Sequence, residues 1–371
     1  MKTTRGLYIH IPFCLSKCTY CDFYSVAVDT ETIEKYVNAL IEEIKFGALR
    51  NDEIIVDTIY IGGGTPSVLS PFVLEKIVKA IHDNFSLDIK EFTIEANPAT
   101  NIEFVEYKNL GINRISLGVQ TLNDKLLGII GRRHDAKLAL DTIEKASRYF
   151  DNLSCDLMIG LPTQTLNDVE SSALTLVDKV KHVSTYMLKL SDNVKMAKQI
   201  RQGIYSLPDD DAFADFYDLI FNIFRINGLD RYEISNFSFP GYESLHNLKY
   251  WNREEYIGLG VAAHGFFGNV RYYNPSSINS YILGNNYGFG KEKFEIISKE
   301  SALFEKIMLA LRLPKGINID SINKEFGIDF ESKYRSQLEF LKPFLDFKNN
   351  TISIKEDKLL LESAIAREFL V

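Results

Sequence analysis

The first half of the chain alternates short strand-like segments with helical segments, and no other feature of the sequence constrains the fold as strongly. Six segments have the length and apolar content of strands: residues 7–11, 54–61, 91–96, 114–119, 153–159 and 183–190. Segments with helical periodicity lie between them, for example over residues 33–44 and 73–84. Strands that alternate with helices form a parallel sheet with crossover helices. The sequence therefore predicts an α/β fold, either a doubly wound sheet or a full or partial barrel.

Four of the six predicted strands carry polar side chains on one face. Successive side chains on a strand point to opposite faces, so Tyr8 and His10 share one face of the first strand. The same alternation gives three more polar faces, formed by Thr93 and Glu95, by Ser116, Gly118 and Gln120, and by Ser154 and Asp156. A sheet covered by helices on both sides is apolar on both faces. The pattern thus favours a barrel that holds a polar ligand near the carboxyl ends of its strands, over polar residues at sheet edges.

The pattern changes after about residue 194. Helices are predicted over 194–202 and 211–227, followed by an irregular aromatic and glycine-rich stretch from 231 to 290. The last segment, 302–371, has the pattern helix, short helix, helix, hairpin, helix, with the hairpin turn at Asn349 and Asn350. We predict a barrel over 1–230, a connecting region over 231–300, and a winged-helix-like, mostly helical C-terminal domain over 301–371.

Charge and hydropathy exclude several classes of function. The chain has 42 Lys and Arg against 50 Asp and Glu, a net charge of −8, and no long basic run. Binding to nucleic acid is therefore not expected, because it relies on clustered basic residues. No apolar run reaches the roughly 18 residues that span a bilayer, and the first ten residues are too polar for a signal peptide. We expect a cytoplasmic protein.

Three of the four cysteines, Cys14, Cys18 and Cys21, fall within eight positions with the spacing C-x3-C-x2-C. They follow the first predicted strand, which places them on a loop at the carboxyl edge of the sheet. In a reducing compartment such bunching indicates metal or redox chemistry, and thiolates bind iron–sulfur clusters or zinc. A structural zinc site needs four ligands, whereas three thiolates on a four-iron cluster leave one iron open. We favour the cluster, with zinc as the alternative.

This spacing resembles the signature of the radical S-adenosylmethionine (SAM) superfamily. In that superfamily the three cysteines hold a [4Fe-4S] cluster, and its open iron takes the amino and carboxylate groups of SAM. The resemblance implies a partial (β/α)6 TIM-like barrel with SAM bound beside the cluster. It also implies the residues that contact SAM or pack beside the cluster: Tyr8, Tyr20, Gly62, Gly63, Gly64, Thr65, Glu95, Gln120, Arg132 and Asp156.

Longer sequence segments resemble one particular group within the superfamily. The chain contains "LYIHIPFCLSKCTYCDFYS", "IGGGTPSVLS", "RISLGVQTLND", "DLMIGLPTQT" and "HNLKYW". These resemble the group that contains the oxygen-independent coproporphyrinogen III dehydrogenases (oxidases) and the related heme chaperones. The dehydrogenases carry a further cysteine two residues after the third ligand and a longer segment before the first. Here that position is Phe23, and thirteen residues precede Cys14. Both features favour the chaperone branch, so we assign no catalytic residue and leave enzymatic activity open.

The "HNLKYW" segment, residues 246–251, is the candidate heme contact. In the chaperone branch this motif is linked to heme binding, and histidine is a common axial ligand, so the resemblance implies His246 as a heme ligand. The alternative is a hydrogen-bonded histidine in an aromatic core. His264 is a second candidate. We expect His82, His134 and His182 at the surface.

The resemblance implies three cofactors and a transfer function. The chain would bind a [4Fe-4S] cluster, SAM and heme or another tetrapyrrole, and would pass heme to membrane respiratory hemoproteins. It would act as a monomer or dimer, and would meet the membrane only at its periphery. The alternative within the same group is oxygen-independent coproporphyrinogen III oxidation, or another SAM-radical reaction on a tetrapyrrole.

Overall fold

The structure, a computed structural model, describes residues 4–49, 54–285 and 293–370. The strands are β1 (Thr4–Ile11), β2 (Phe13–Cys14), β3 (Val26–Ala27), β4 (Ile55–Gly63), β5 (Ser86–Ala96), β6 (Arg114–Gln120), β7 (Asn152–Ile159), β8 (His182–Met187), β9 (Asp230–Glu233), β10 (Asn236–Ser238), β11 (Tyr256–Leu259), β12 (His264–Phe267), β13 (Val270–Tyr273), β14 (Lys293–Ile296), β15 (Ile317–Asn318), β16 (Leu345–Lys348) and β17 (Thr351–Ile354).

The helices are α1 (Thr30–Leu49), α2 (Pro71–Asn84), α3 (Phe104–Asn109), α4 (Asp124–Ile130), α5 (Ala136–Ser147), α6 (Leu166–Val177), α7 (Lys195–Arg201), α8 (Asp210–Ile226), α9 (Leu245–Trp251), α10 (Ile278–Asn285), α11 (Lys299–Leu311), α12 (Ile319–Phe326), α13 (Phe330–Lys333), α14 (Arg335–Leu341) and α15 (Glu362–Arg367). Short 3-10 helices cover Pro66–Val68 and Glu356–Leu361. No helix in these described ranges is long and apolar enough to cross a membrane.

The large sheet has the order β14-β13-β12-β11-β1-β4-β5-β6-β7-β8-β10-β9. Its six central strands, from β1 to β8 in this order, are all parallel and follow one another along the chain. They are the six strands that the sequence predicted, with bounds that differ by five residues or fewer. Within the described residues the sheet runs from β14 to β9 without closing. The α/β prediction of a partial (β/α)6 TIM-like barrel is therefore confirmed.

The two faces of the barrel strands differ as the alternation predicted. On β1 the side chains of Leu7, Ile9 and Ile11 are fully buried in the core that the helices cover. Cys155 on β7 lies in the same core, as its position opposite Asp156 required. Removing each such apolar side chain from water contributes about 1.5–3 kcal/mol. The polar side chains consequently face the barrel interior.

The described part of the stretch from 231 to 290 is more regular than predicted, and the prediction of an irregular segment is wrong there. It contributes strands β9 to β13 and helices α9 and α10. Strand β11 pairs in parallel with β1, and β12, β13 and β14 continue the sheet as antiparallel strands. These strands have four residues or fewer, so their sequences carry little periodicity, and their partners decide their conformation.

The C-terminal segment builds a second core. Strands β16 and β17 form the predicted hairpin, and the turn residues Asn349 and Asn350 have φ angles of 48° and 61°. Both angles belong to the left-handed region that a two-residue hairpin turn requires and that Asn tolerates. The helices from α11 to α15 pack around Ile307, Phe330 and Phe369. A mostly helical C-terminal domain with a small hairpin is confirmed.

The second core yields a stability prediction. Phe330 is fully buried, whereas Phe340 on the neighbouring α14 is 65% exposed. We expect Phe330→Ala to lower the free energy of unfolding by about 3–5 kcal/mol, since it removes buried surface and leaves a cavity. The matched change Phe340→Ala should cost less than about 0.5 kcal/mol. Urea unfolding followed by circular dichroism measures both, and equal losses would contradict this packing.

Candidate functional site

The three predicted cluster ligands lie on the loop after β1. Cys14 belongs to β2, Cys18 and Cys21 follow it, and all three thiols are free and partly buried. The Cys14 sulfur lies 3.4 Å from the hydroxyl of Thr65, and Arg132 Nη1 donates to the Cys18 sulfur at 3.6 Å. The loop thus meets the segments that follow β4 and α4.

A structural zinc ion would need a fourth ligand beside the three thiols. His10, the nearest spare ligand for zinc, has Nδ1 3.0 Å from the Tyr8 hydroxyl and Nε2 3.4 Å from the Tyr24 carbonyl. The geometry therefore argues against a four-ligand zinc site.

Close contacts require the glycines at the end of β4. The Glu95 carboxylate occupies the space beside Gly62, where a Cβ would lie 2.9 Å from Oε1. Gly63 has a φ angle of 112°, and a Cβ there would lie 2.5 Å from the His10 ring. Gly64 donates its N–H to the backbone of β1 at 2.8 Å. Any side chain at Gly62 or Gly63 would fill the mouth of the barrel.

Glu95 points into the barrel and is held on both carboxylate oxygens. Oε1 accepts from the Tyr60 hydroxyl at 2.8 Å, and Oε2 accepts from the Gly63 N–H at 3.0 Å. Burial raises the pKa of Glu95, while these two hydrogen bonds and the charge of Arg114 oppose the rise. The carboxylate is thus fixed in place with its geometry set by two donors.

Asp156 lies near Glu95 in the same interior. Burial and the charge of Glu95 raise the pKa of Asp156 to about 7, against the opposing charges of Arg132 and Arg114. Two carboxyl groups with raised pKa values in one polar interior form a site suited to a cation or to several hydroxyl and amino groups.

Arg132 and Gln120 complete the rim. Arg132 Nη2 donates to the Gly118 carbonyl, and a Cβ on Gly118 would lie 3.1 Å from the Gln120 amide nitrogen. Gln120 has a φ angle of 72°, which is strained for a residue with a side chain and typical of functional sites. The Arg132 Nε is buried without a hydrogen-bond partner among the described residues. This donor beside Cys18 fits an anionic group such as a carboxylate.

The two predicted tyrosines approach the same space. Tyr8 lies on β1, and its ring stacks with that of Tyr60 at 6.2 Å between centroids. Tyr20 is on the cysteine loop itself and packs against a small apolar cluster around Leu126 and Met158. Burial raises the pKa of Tyr20, and the nearby Arg132 opposes that rise. The predicted residues therefore gather at the carboxyl end of the barrel.

Two interior residues escaped the sequence analysis. Tyr60 donates to Glu95, and Arg114 is a fully buried cation whose Nε has no hydrogen-bond partner in the described part of the chain. The positive charge of Arg114 nevertheless lowers the pKa of both Glu95 and Asp156, against the effect of burial. Both residues lie at inward-facing positions, two residues before Gly62 and Ser116, so the strand alternation could have found them.

His246 lies in the floor of the barrel, which we define as the amino-terminal end of the inner strands and the helix α9 below them. Its side chain is buried, with 1% exposure. Nδ1 lies 2.9 Å from the Thr58 hydroxyl, and Nε2 lies 2.8 Å from the Tyr250 hydroxyl. With both ring nitrogens engaged, neither is available to iron. The geometry matches the hydrogen-bonded alternative and does not support the prediction that His246 ligates heme.

His264 is differently placed. It is exposed on β12, and its ring stacks on Tyr273 with 5.4 Å between centroids. Its ring nitrogens make no hydrogen bond within the described residues. His82 on α2 is exposed, as predicted.

The prediction that His134 and His182 lie at the surface is wrong. His134 is buried with Nε2 3.1 Å from the Val119 carbonyl. His182 is fully buried between the hydroxyls of Ser154, at 2.8 Å, and Tyr232, at 2.7 Å. The sequence around them is mixed in polarity, and the partners that bury them come from distant segments.

The fold and the cysteine loop define a radical SAM protein, with a polar barrel beneath a three-cysteine loop. In agreement, the model of the Radical SAM superfamily matches residues 8–176, and that of the HemN C-terminal domain matches residues 297–362.

Relatives that match nearly the whole length of the chain identify its family. The heme chaperone HemW of Lactococcus lactis is 38% identical over 343 residues, which cover 91% of this chain and 89% of the relative. The heme chaperone HemW of Bacillus subtilis is 34% identical over 99% of both chains. The chain therefore belongs to the HemW family. The solved coproporphyrinogen III oxidase HemN of Escherichia coli superposes with a TM-score of 0.86 over 99% of this chain and 90% of its own. Its sequence identity is 20%, so it shows the shared fold alone.

The pKa of Asp156 predicts a pH effect on stability. An aspartate whose pKa is raised on folding favours the folded state while it is protonated, and that contribution is lost as pH rises towards the folded pKa. With that pKa at about 7, the wild-type free energy of unfolding should fall more steeply between pH 5.5 and 7.5 than that of Asp156→Asn. The exposed Asp88→Asn variant should keep the wild-type slope. Parallel slopes for wild type and Asp156→Asn in urea titrations would contradict the shift.

Proposed function

We propose that this protein is a heme chaperone built on a radical SAM scaffold, which binds heme and delivers it to respiratory hemoproteins. The observation that carries the proposal is the whole-length similarity to proteins named heme chaperone HemW. Phe23 supports it, since this residue is 65% exposed on the loop where the dehydrogenases carry a further cysteine. The chain would act as a monomer or a dimer.

The three loop cysteines would hold a [4Fe-4S] cluster, which supplies an open iron to coordinate SAM. Burial raises the pKa of the Cys21 thiol, and Lys17 is among the groups that oppose the rise, so metal loading must displace a proton from a thiol. Arg132 offers positive charge beside Cys18 and an unpartnered Nε in the adjacent pocket. Membership in the radical SAM superfamily supports both cofactors.

The barrel interior supplies the remaining SAM contacts. Glu95, with both oxygens oriented, would accept a hydrogen bond from an amino group. The pKa of Asp156 is raised to about 7, and its carboxyl group would accept hydrogen bonds from hydroxyl groups. A small pocket lined by Cys18, Thr65, Asn97, Thr100 and Arg132 opens beside the cysteine loop.

For heme, the geometry favours His264 over His246. His264 offers an exposed imidazole with free nitrogens and a stacked aromatic partner, Tyr273. Burial lowers the pKa of His264, and the charge of Arg271 adds to this, so the ring is neutral at pH 7 as an axial ligand must be. His246 would have to break a buried hydrogen bond to bind iron.

The cluster proposal is tested by matched cysteine changes. We expect Cys18→Ser to lose most of the bound iron and sulfide after anaerobic reconstitution, because two remaining thiolates hold a cluster poorly. Cys155→Ser should retain the wild-type content, since that thiol is buried among helices. Iron and sulfide analysis with absorbance near 400 nm measures both. Equal loss in the two variants would contradict the ligand assignment.

The heme proposal is tested by anaerobic titration of the reconstituted protein with heme. We expect His264→Ala to weaken binding roughly tenfold or more and to shift the Soret band, because an axial ligand is lost. His82→Ala, which removes the other exposed histidine, should leave both unchanged. If wild-type protein binds no heme, the chaperone function fails. If His264→Ala behaves as wild type, the ligand assignment alone fails.

A further inference from the structure

Two buried carboxylates anchor the "HNLKYW" segment to the barrel floor: Asp57 on β4 pairs with Lys249 at 2.9 Å, and Glu91 holds the start of the segment. Glu91 on β5 accepts hydrogen bonds from the Leu245 N–H at 2.7 Å, the His246 N–H at 3.2 Å and the Ser244 hydroxyl at 3.2 Å. The two N–H groups are free backbone donors at the start of α9, so the buried acid both caps the helix and ties it to the inner sheet. The position of the segment is therefore set from inside the barrel.

The same anchoring fixes the His246 ring. Its two nitrogens are bound by the Thr58 hydroxyl on β4 and by the Tyr250 hydroxyl one helical turn further on. Burial lowers the pKa of His246 to about 3, so the ring stays neutral and keeps one donor and one acceptor. An imidazole held at both nitrogens cannot rotate without breaking a buried hydrogen bond, which costs about 1–3 kcal/mol.

From this ring a contact chain reaches the mouth of the barrel. The His246 ring stacks on Tyr60 with 5.3 Å between centroids and 30° between planes. Tyr60 in turn stacks with Tyr8 at 6.2 Å, and its hydroxyl donates to Glu95 at 2.8 Å. The two stacking partners restrict rotation of the Tyr60 ring. The Tyr60 hydroxyl is one of the two donors that hold the Glu95 carboxylate.

We propose that His246 and Tyr60 are positioning residues for the SAM pocket: His246 fixes the Tyr60 ring, and the Tyr60 hydroxyl orients the Glu95 carboxylate. The proposal rests on the proposed function, in which Glu95 contacts SAM. It assigns the "HNLKYW" segment a supporting role beneath the cofactor, in place of heme ligation.

The ionisation of Glu95 supplies a specific readout. Loss of the Tyr60 hydrogen bond removes a contact that lowers the Glu95 pKa, so the variant carboxylate must be protonated at higher pH than the wild-type group. The other titratable or charged groups that face Glu95 remain in place: Tyr8 on β1, Arg114 on β6, Asp156 on β7, Tyr186 on β8 and Tyr250 on α9.

The test compares Tyr60→Phe with Tyr217→Phe in the anaerobically reconstituted protein. Each change removes one buried hydroxyl and one 2.8 Å hydrogen bond, since Tyr217 donates to the Ile234 carbonyl far from the pocket. SAM affinity is measured by equilibrium dialysis between pH 5.5 and 8, after iron content is matched. We expect Tyr60→Phe to bind SAM about tenfold more weakly at pH 7. As the pH is lowered, its SAM affinity should begin to fall at a higher pH than that of the wild type. Tyr217→Phe should follow the wild-type profile.

A second variant separates positioning from heme ligation. His246→Phe keeps a ring against Tyr60 but removes both hydrogen bonds, so SAM affinity should fall while the Soret band of added heme stays in place. The inference is overturned if Tyr60→Phe matches Tyr217→Phe at every pH, or if His246→Phe loses heme and keeps SAM. If the wild-type protein takes up no SAM, the proposed function fails first, and this inference falls with it.

Discussion

The parallel pairing of the six barrel strands is the constraint on which the rest of the structure depends. Parallel strands in chain order bring all their carboxyl ends to one rim. This edge gathers the cysteine loop after β1, the glycine segment at the end of β4, Glu95 on β5 and Asp156 on β7, residues that are remote in sequence. The helices that connect the strands cover the outer face, so the inner face is free to be polar.

A polar interior must satisfy its own hydrogen bonds, because an unpaired buried polar group costs several kcal/mol. The barrel does this with two similar arrangements. His246 lies between the hydroxyls of Thr58 and Tyr250, and His182 lies between those of Ser154 and Tyr232. Burial lowers the pKa of both rings, so each stays neutral and fills the floor without adding charge beneath Glu95.

Much of this could be read from the sequence, and the errors share one cause. The six strands, the inward polar face and the hairpin at Asn349 depend on local periodicity and turn chemistry, and all are found. The short strands after residue 230 and the burial of His134 and His182 were missed. Each depends on partners from distant segments, for which a strand of four residues or a single histidine carries no local signal.

The sequence by itself determined the alternation of strands and helices, the C-x3-C-x2-C loop, and the presence of Phe23 where the dehydrogenases carry a cysteine. Spacing and residue type are properties of the chain itself. Only the tertiary structure decided which histidine is free. The Thr58 hydroxyl that occupies His246 Nδ1 lies 188 positions away along the chain, while His264, in an equally aromatic stretch, has no such partner among the described residues. A side chain's hydrogen-bond partners are fixed by packing across the barrel, and spacing along the chain does not encode them.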